Sequence, residues 1–110
     1  MMIARYRIHI DGFVCEARSL GECAEFVTML VNTLKVREVM RQQIEISYNA
    51  PDAEPGISLQ VMFLESSLSL HTWPGHEQAS LDIFSCKAFG RNMVENAFTR
   101  FFKPSRIEIG

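Results

Sequence analysis

Between Ser58 and Cys86 the chain gathers side chains suited to nucleophilic and acid–base chemistry. Ser66 offers a hydroxyl, His71 an imidazole and Cys86 a thiol. A serine hydroxyl is a weak nucleophile unless a neighbour activates it or a donor stabilises the oxyanion it creates. Imidazole titrates near neutral pH and can act as a base. A thiol can deliver a proton to a carbon beside it. Each residue also has an ordinary reading. A lone serine at a strand end usually bonds to backbone, a lone histidine sits satisfied on a sheet face, and a free cysteine is most often a buried small hydrophobe. Cys23 fits that last description, and Cys15 is undecided. Ser58 lies in the otherwise apolar run Ile57–Leu64, so if buried it needs a polar partner. Ser66 and His71 are five positions apart. On one regular strand an odd spacing turns two side chains to opposite faces. They converge only if a turn or bulge lies between them, or if Ser66 sits off the strand.

The elements that must hold these residues are legible in the pattern. Partial alternation from Ile3 to Ile10 predicts an opening strand. Ser19 and Glu22 form a capping box, and Leu20, Cys23, Ala24, Val27, Leu30, Val31 and Leu34 recur at helical spacing, which predicts a helix from about Leu20 to Leu34. Lys35 to Gln43 is ambiguous between helix extension and loop. Alternation predicts a strand from Gln43 to Tyr48, and 49–56 is a loop rich in Pro, Asp and Gly. Three further strands follow: Ile57–Leu64, Leu68–His71 (ended by Pro74-Gly75) and Leu81–Cys86. Phe89, Met93, Val94, Ala97, Phe98 and Phe101 predict a second helix stopped by Pro104, and Arg106–Ile109 closes with a short strand. Helices segregated from a largely antiparallel sheet imply an α+β two-layer sandwich with two helices on one face. The other sheet face is then solvated or covered by another chain, and the long apolar strands favour a homodimer.

The 110 residues suggest one domain, 1–110. A hydrophobic content of 47% with 22% charged residues excludes a disordered chain. The formal net charge of -2 leaves no basic footprint for nucleic acid. No apolar run is long enough to span a membrane, and the start lacks the apolar stretch of a secretory signal. The three cysteines show no Cys-x-x-Cys spacing, so neither a metal site nor a disulfide framework is expected, and a cytoplasmic location with reduced thiols is.

The strings Glu65-Ser66, His71-Thr72-Trp73-Pro74 and Asp82-Ile83-Phe84-Ser85-Cys86 resemble the core of the small prokaryotic S-adenosylmethionine decarboxylases. There the pattern is Glu-Ser-His, a short strand, His-Thr-Trp/Tyr-Pro-Glu, and Asp-Leu/Ile-Phe-Thr-Cys. The resemblance covers about Gly56 to Ile109. It implies a pyruvoyl-dependent decarboxylase of polyamine biosynthesis that cuts its own backbone at Glu65–Ser66. By that resemblance, Ser66 attacks the carbonyl of Glu65 and becomes the pyruvoyl group, so that the cofactor is derived from Ser66. His71 is the base for processing, Ser58 assists it, and Cys86 reprotonates the substrate carbon. The partner is a small amino-acid-type substrate.

Three departures bear on that substrate. Ser67 stands where the family has histidine. Gly75 stands where it has a glutamate suited to ribose hydroxyls. The loop before Gly56 has no aromatic residue to stack on adenine. The same chemistry on arginine or ornithine is therefore an alternative, with Asp52 and Glu54 either facing a cationic side chain or simply solvated. An uncleaved, non-catalytic homologue that binds a ligand or a partner chain is another.

Overall fold

The computed structural model describes residues 4–46, 54–64 and 66–110. Its elements run β1 (Tyr6–Phe13), α1 (Leu20–Leu34), β2 (Glu38–Ile46), β3 (Gly56–Phe63), β4 (Ser66–Trp73), a 3-10 turn (Pro74–His76), β5 (Gln78–Ser85), α2 (Arg91–Phe102) and β6 (Arg106–Ile109). The strands form one six-stranded sheet in the order β2-β3-β4-β5-β1-β6, and every neighbouring pair is antiparallel. Both helices pack on one face, giving the expected α+β two-layer sandwich.

Period-two alternation explains which side faces the helices. Ile8 and Ile10 of β1, Leu59 and Val61 of β3, Leu68 and Leu70 of β4, and Leu81 and Ile83 of β5 are buried beneath the helices. They meet Phe26, Val27 and Leu30 of α1 and Val94, Phe98 and Phe102 of α2 in one apolar core. Removing side chains of this size from water stabilises the fold by about 2–3 kcal/mol each. Helix α1 begins as the sequence predicts: Ser19 Oγ accepts from the Glu22 N–H at 3.1 Å, and Glu22 Oε1 accepts from the Ser19 N–H at 3.0 Å. It ends at Lys35, which takes the left-handed conformation (φ 56°).

The strands differ from the sequence reading chiefly in their ends. β1 runs on to Phe13, because 11–13 pair with both β5 and β6. Gly12 permits that extension: a Cβ there would stand 2.6 Å from the buried Phe98 ring. β2 begins at Glu38, inside the stretch left ambiguous, with a register irregularity between Glu38 and Met40. As an edge strand it is exposed along most of its length, so burial leaves little alternation to read. Arg41 anchors it, reaching the Ala24 carbonyl at 3.3 Å and pairing with Glu38 at 2.7 Å. β4 and β5 are each longer than their apolar cores, since Ser66, Ser67, Thr72, Trp73 and Gln78 join the ladder without contributing to the apolar pattern. Tyr48, Asp52 and most of the predicted loop lie outside the described residues. No helix is long and apolar enough to cross a membrane among the described residues.

Candidate active site

Ser66 opens β4. It shares the parity of Leu68, Leu70 and Thr72, which face the helices. The β4–β5 register pairs Ser67 with Phe84, so one step outward Ser66 stands opposite Ser85. Their hydroxyls meet: Ser66 Oγ donates to Ser85 Oγ at 3.3 Å. The Cys86 backbone N–H donates to Ser66 Oγ at 3.3 Å. Ser85 is buried and also accepts the Lys87 N–H at 3.0 Å. The chain turns out of β5 here, and that turn brings the Cys86 amide onto Ser66. Cys86 itself is a free, half-buried thiol. Ser67 has the opposite parity and is exposed. Glu65, the residue before the expected cleavage point, lies outside the described residues.

His71 belongs to the other sheet face. It stands directly opposite Ser58 in the β3–β4 ladder, and Ser58 Oγ lies 2.9 Å from His71 Nδ1. That bond answers the need for a partner at Ser58 and, among the described residues, leaves Nε2 without a hydrogen-bond partner. Gly56 allows the strands to meet, because any Cβ there would collide with the Thr72 carbonyl. The Trp73 ring stacks beside the imidazole, with centroids 5.7 Å apart and planes inclined by 23°.

The structure therefore forms two groups: Ser66 with Ser85 and Cys86, and Ser58 with His71. It does not bring Ser66 and His71 together within one chain. β4 is regular along both of its ladders, with neither turn nor bulge between the two residues. Five residues of extended strand separate them by about 16 Å, and the odd spacing puts them on opposite faces.

A third polar group is assembled by the pairing of β1 with β5. On the open face His9 lies between two carboxylates, with Nε2 2.9 Å from Asp11 and Nδ1 2.8 Å from Asp82. Ser80, almost fully buried, donates to Asp11 and stands opposite His71 in the β4–β5 ladder. The hydrogen bonds to Asp11 and then Asp82 raise the His9 pKa above its ordinary value, against a smaller effect of burial. Burial pushes the Asp11 carboxyl up, but the bonds from Ser80 and His9 outweigh it and leave the group below its usual value. The shared parity of His9 and Asp11, two residues apart on one strand, is the signal in the sequence. The pairing of β1 with β5 that adds Asp82 and Ser80 was not readable. Cys23 is buried in the core, where loss of water raises its thiol pKa to about 11. Exposed Cys15 stands 3.9 Å from Glu77. Glu54 pairs at the surface with His76 at 3.5 Å.

Fold and motif together define a small α+β chain with a hydroxyl at a hairpin, and comparison with known proteins gives the class. Residues 6–110 match the family model described as S-adenosylmethionine decarboxylase. The chain belongs to that family. The S-adenosylmethionine decarboxylase proenzyme of Pyrobaculum arsenaticum is 31% identical over 80 residues, covering 71% of this chain and 62% of the relative. That of Methanococcus vannielii is 26% identical over 106 residues, 93% of this chain and 82% of the relative. The arginine decarboxylase proenzyme of Aeropyrum pernix is 45% identical over 40 residues, 36% of this chain and 30% of the relative. The chain spans 62% of the length of its relatives from P. arsenaticum and P. aerophilum. The crystal structure of the adenosylmethionine decarboxylase from Aquifex aeolicus shares the fold, with a TM-score of 0.80 at 16% identity over 96% of this chain and 86% of that one.

Proposed function

We propose that this protein is a pyruvoyl-dependent decarboxylase of polyamine biosynthesis that cleaves its own chain at Glu65–Ser66. The observation that carries this reading is the pairing of Ser66 with an amide donor and a buried hydroxyl beside Cys86. Of the adjacent serines 66 and 67, only Ser66 has that setting. The cofactor fits here. Residue 66 is half-buried, has a backbone donor on its side-chain oxygen, and is followed by a strand leading into the sheet. A pyruvoyl group at this position supplies a ketone for the substrate's amine and an adjoining carbonyl that draws in the electrons left when carbon dioxide departs.

The chain's own residues do the rest. The Ser66 hydroxyl attacks the Glu65 carbonyl carbon as a base takes its proton, and the Glu65–Ser66 C–N bond breaks to leave an ester. Elimination of the Glu65 carboxylate across the Ser66 Cα–Cβ bond cuts the chain, and hydrolysis of the imine left at residue 66 releases ammonia and leaves the ketone. Ser58 holds His71 through Nδ1, so that Nε2 is free to take a proton. Cys86 returns a proton to the substrate carbon after carbon dioxide leaves. The separation of Ser66 from His71 within one chain supports a homodimer in which each Ser66 is served by the partner's His71. The exposed apolar residues Met40, Ile44 and Met62 lie on the open sheet face and give a second copy something to cover. A cytoplasmic setting suits the free thiols.

S-adenosylmethionine is the first substrate to test, given the family. Arginine is the second reading. Gly75 replaces the family's sugar-binding glutamate, and the A. pernix arginine decarboxylase matches strongly over a short span. Purified protein should release carbon dioxide from carboxyl-labelled S-adenosylmethionine, and Cys86→Ala should slow that release by about 10²-fold while leaving cleavage intact. Release from arginine alone would transfer the assignment to the second reading. Release from neither would remove the decarboxylase assignment.

A further inference from the structure

Resting on that reading, we propose that Ser85 is a positioning residue for the Ser66 nucleophile during self-cleavage. A hydroxyl has one hydrogen and two lone pairs. Ser66 gives its hydrogen to Ser85 Oγ at 3.3 Å and accepts the Cys86 N–H at 3.3 Å. Those two bonds fix the rotation of the side chain and leave one lone pair of Oγ for attack. Ser85 can hold that position because it is itself fixed. It is 4% exposed, and its Oγ also accepts the Lys87 N–H at 3.0 Å.

The antiparallel register makes this contact specific. Ser66 and Ser85 stand one step beyond the last paired residues of β4 and β5, Ser67 and Phe84, on the same sheet face, where their hydroxyls meet. Ser67, one residue on, faces the other way and has no such neighbour across the ladder, since Phe84 stands opposite. Ser85 thus supplies a reason why one of two adjacent serines reacts. A hydroxyl at 85 is needed for this role, and the particular side chain carrying it is not. Removing the oxygen frees Ser66 to rotate, whereas threonine keeps it.

The test follows cleavage over time in freshly synthesised chains of wild type, Ser85→Ala and Ser85→Thr, with melting temperatures measured alongside. Ser85→Ala should cleave about tenfold more slowly or worse, the scale of one hydrogen bond expressed in a rate. Ser85→Thr should cleave within about threefold of wild type. Equal rates for Ser85→Ala and wild type would overturn the proposal. So would a Ser85→Thr chain as slow as Ser85→Ala, with both melting temperatures lowered alike, because that pattern belongs to a merely structural serine. A wild-type chain that does not cleave at all would instead overturn the enzymatic reading on which this one rests.

Discussion

Ser66 and Ser67 carry the same functional group on consecutive residues, and the sheet separates their fates. Ser66 faces Ser85 and the Cys86 amide, while Ser67 faces solvent. The same parity rule divides Ser66 from His71, and that consequence was already present in their spacing. The His9 group shows what a linear reading misses, since its carboxylates come from β1 and from β5, more than seventy residues on. Its charge has a testable effect. The folded-state pKa of His9 lies above its ordinary 6.5. The stabilisation from charged His9 is therefore complete below that ordinary value and is lost as pH rises through the raised one. Wild type should exceed His9→Gln in melting temperature most at about pH 6, with the gap closing toward about pH 9. A gap of constant size across that range would show that His9 does not titrate against Asp11 and Asp82.

At the scale of elements, legibility followed burial. Helix α1 was readable from end to end because it has a two-sided cap and a continuous buried stripe. β2 was not, because an edge strand exposed along most of its length has no inside and outside for the sequence to encode. The extension of β1 was hidden for a different reason. Its last residues are held by β6, the most distant element in the chain, and by the absence of a side chain at Gly12. Gly12→Ala would drive a methyl group into the ring of the fully buried Phe98, which would have to shift within the packed core. We expect a loss of about 1–3 kcal/mol in denaturant unfolding. An unchanged midpoint would mean that α2 does not pack against β1 as described.

For the whole molecule, the central fact is that among the described residues both helices cover the same face of the sheet. The open face carries the Ser58–His71 pair, the His9 group and the exposed Met40, Ile44 and Met62. Within one chain the regular β4 strand keeps Ser66 and His71 apart on opposite faces, so in the proposed homodimer the histidine that serves Ser66 comes from the second copy. Co-expressing Ser66→Ala with His71→Ala tests this arrangement. Each variant alone should stay uncut. Together, the His71→Ala chain should be cleaved in mixed dimers, because its own Ser66 meets an intact partner's His71. Absence of cleavage in verified mixed dimers would confine the site to one chain. The most direct measurement remains the intact mass of the purified wild-type protein under denaturing conditions. The account predicts two fragments divided between Glu65 and Ser66, the C-terminal one lighter by one ammonia than simple hydrolysis would leave it, and a single uncut chain for Ser66→Ala. A wild-type chain that stays whole over days would contradict it.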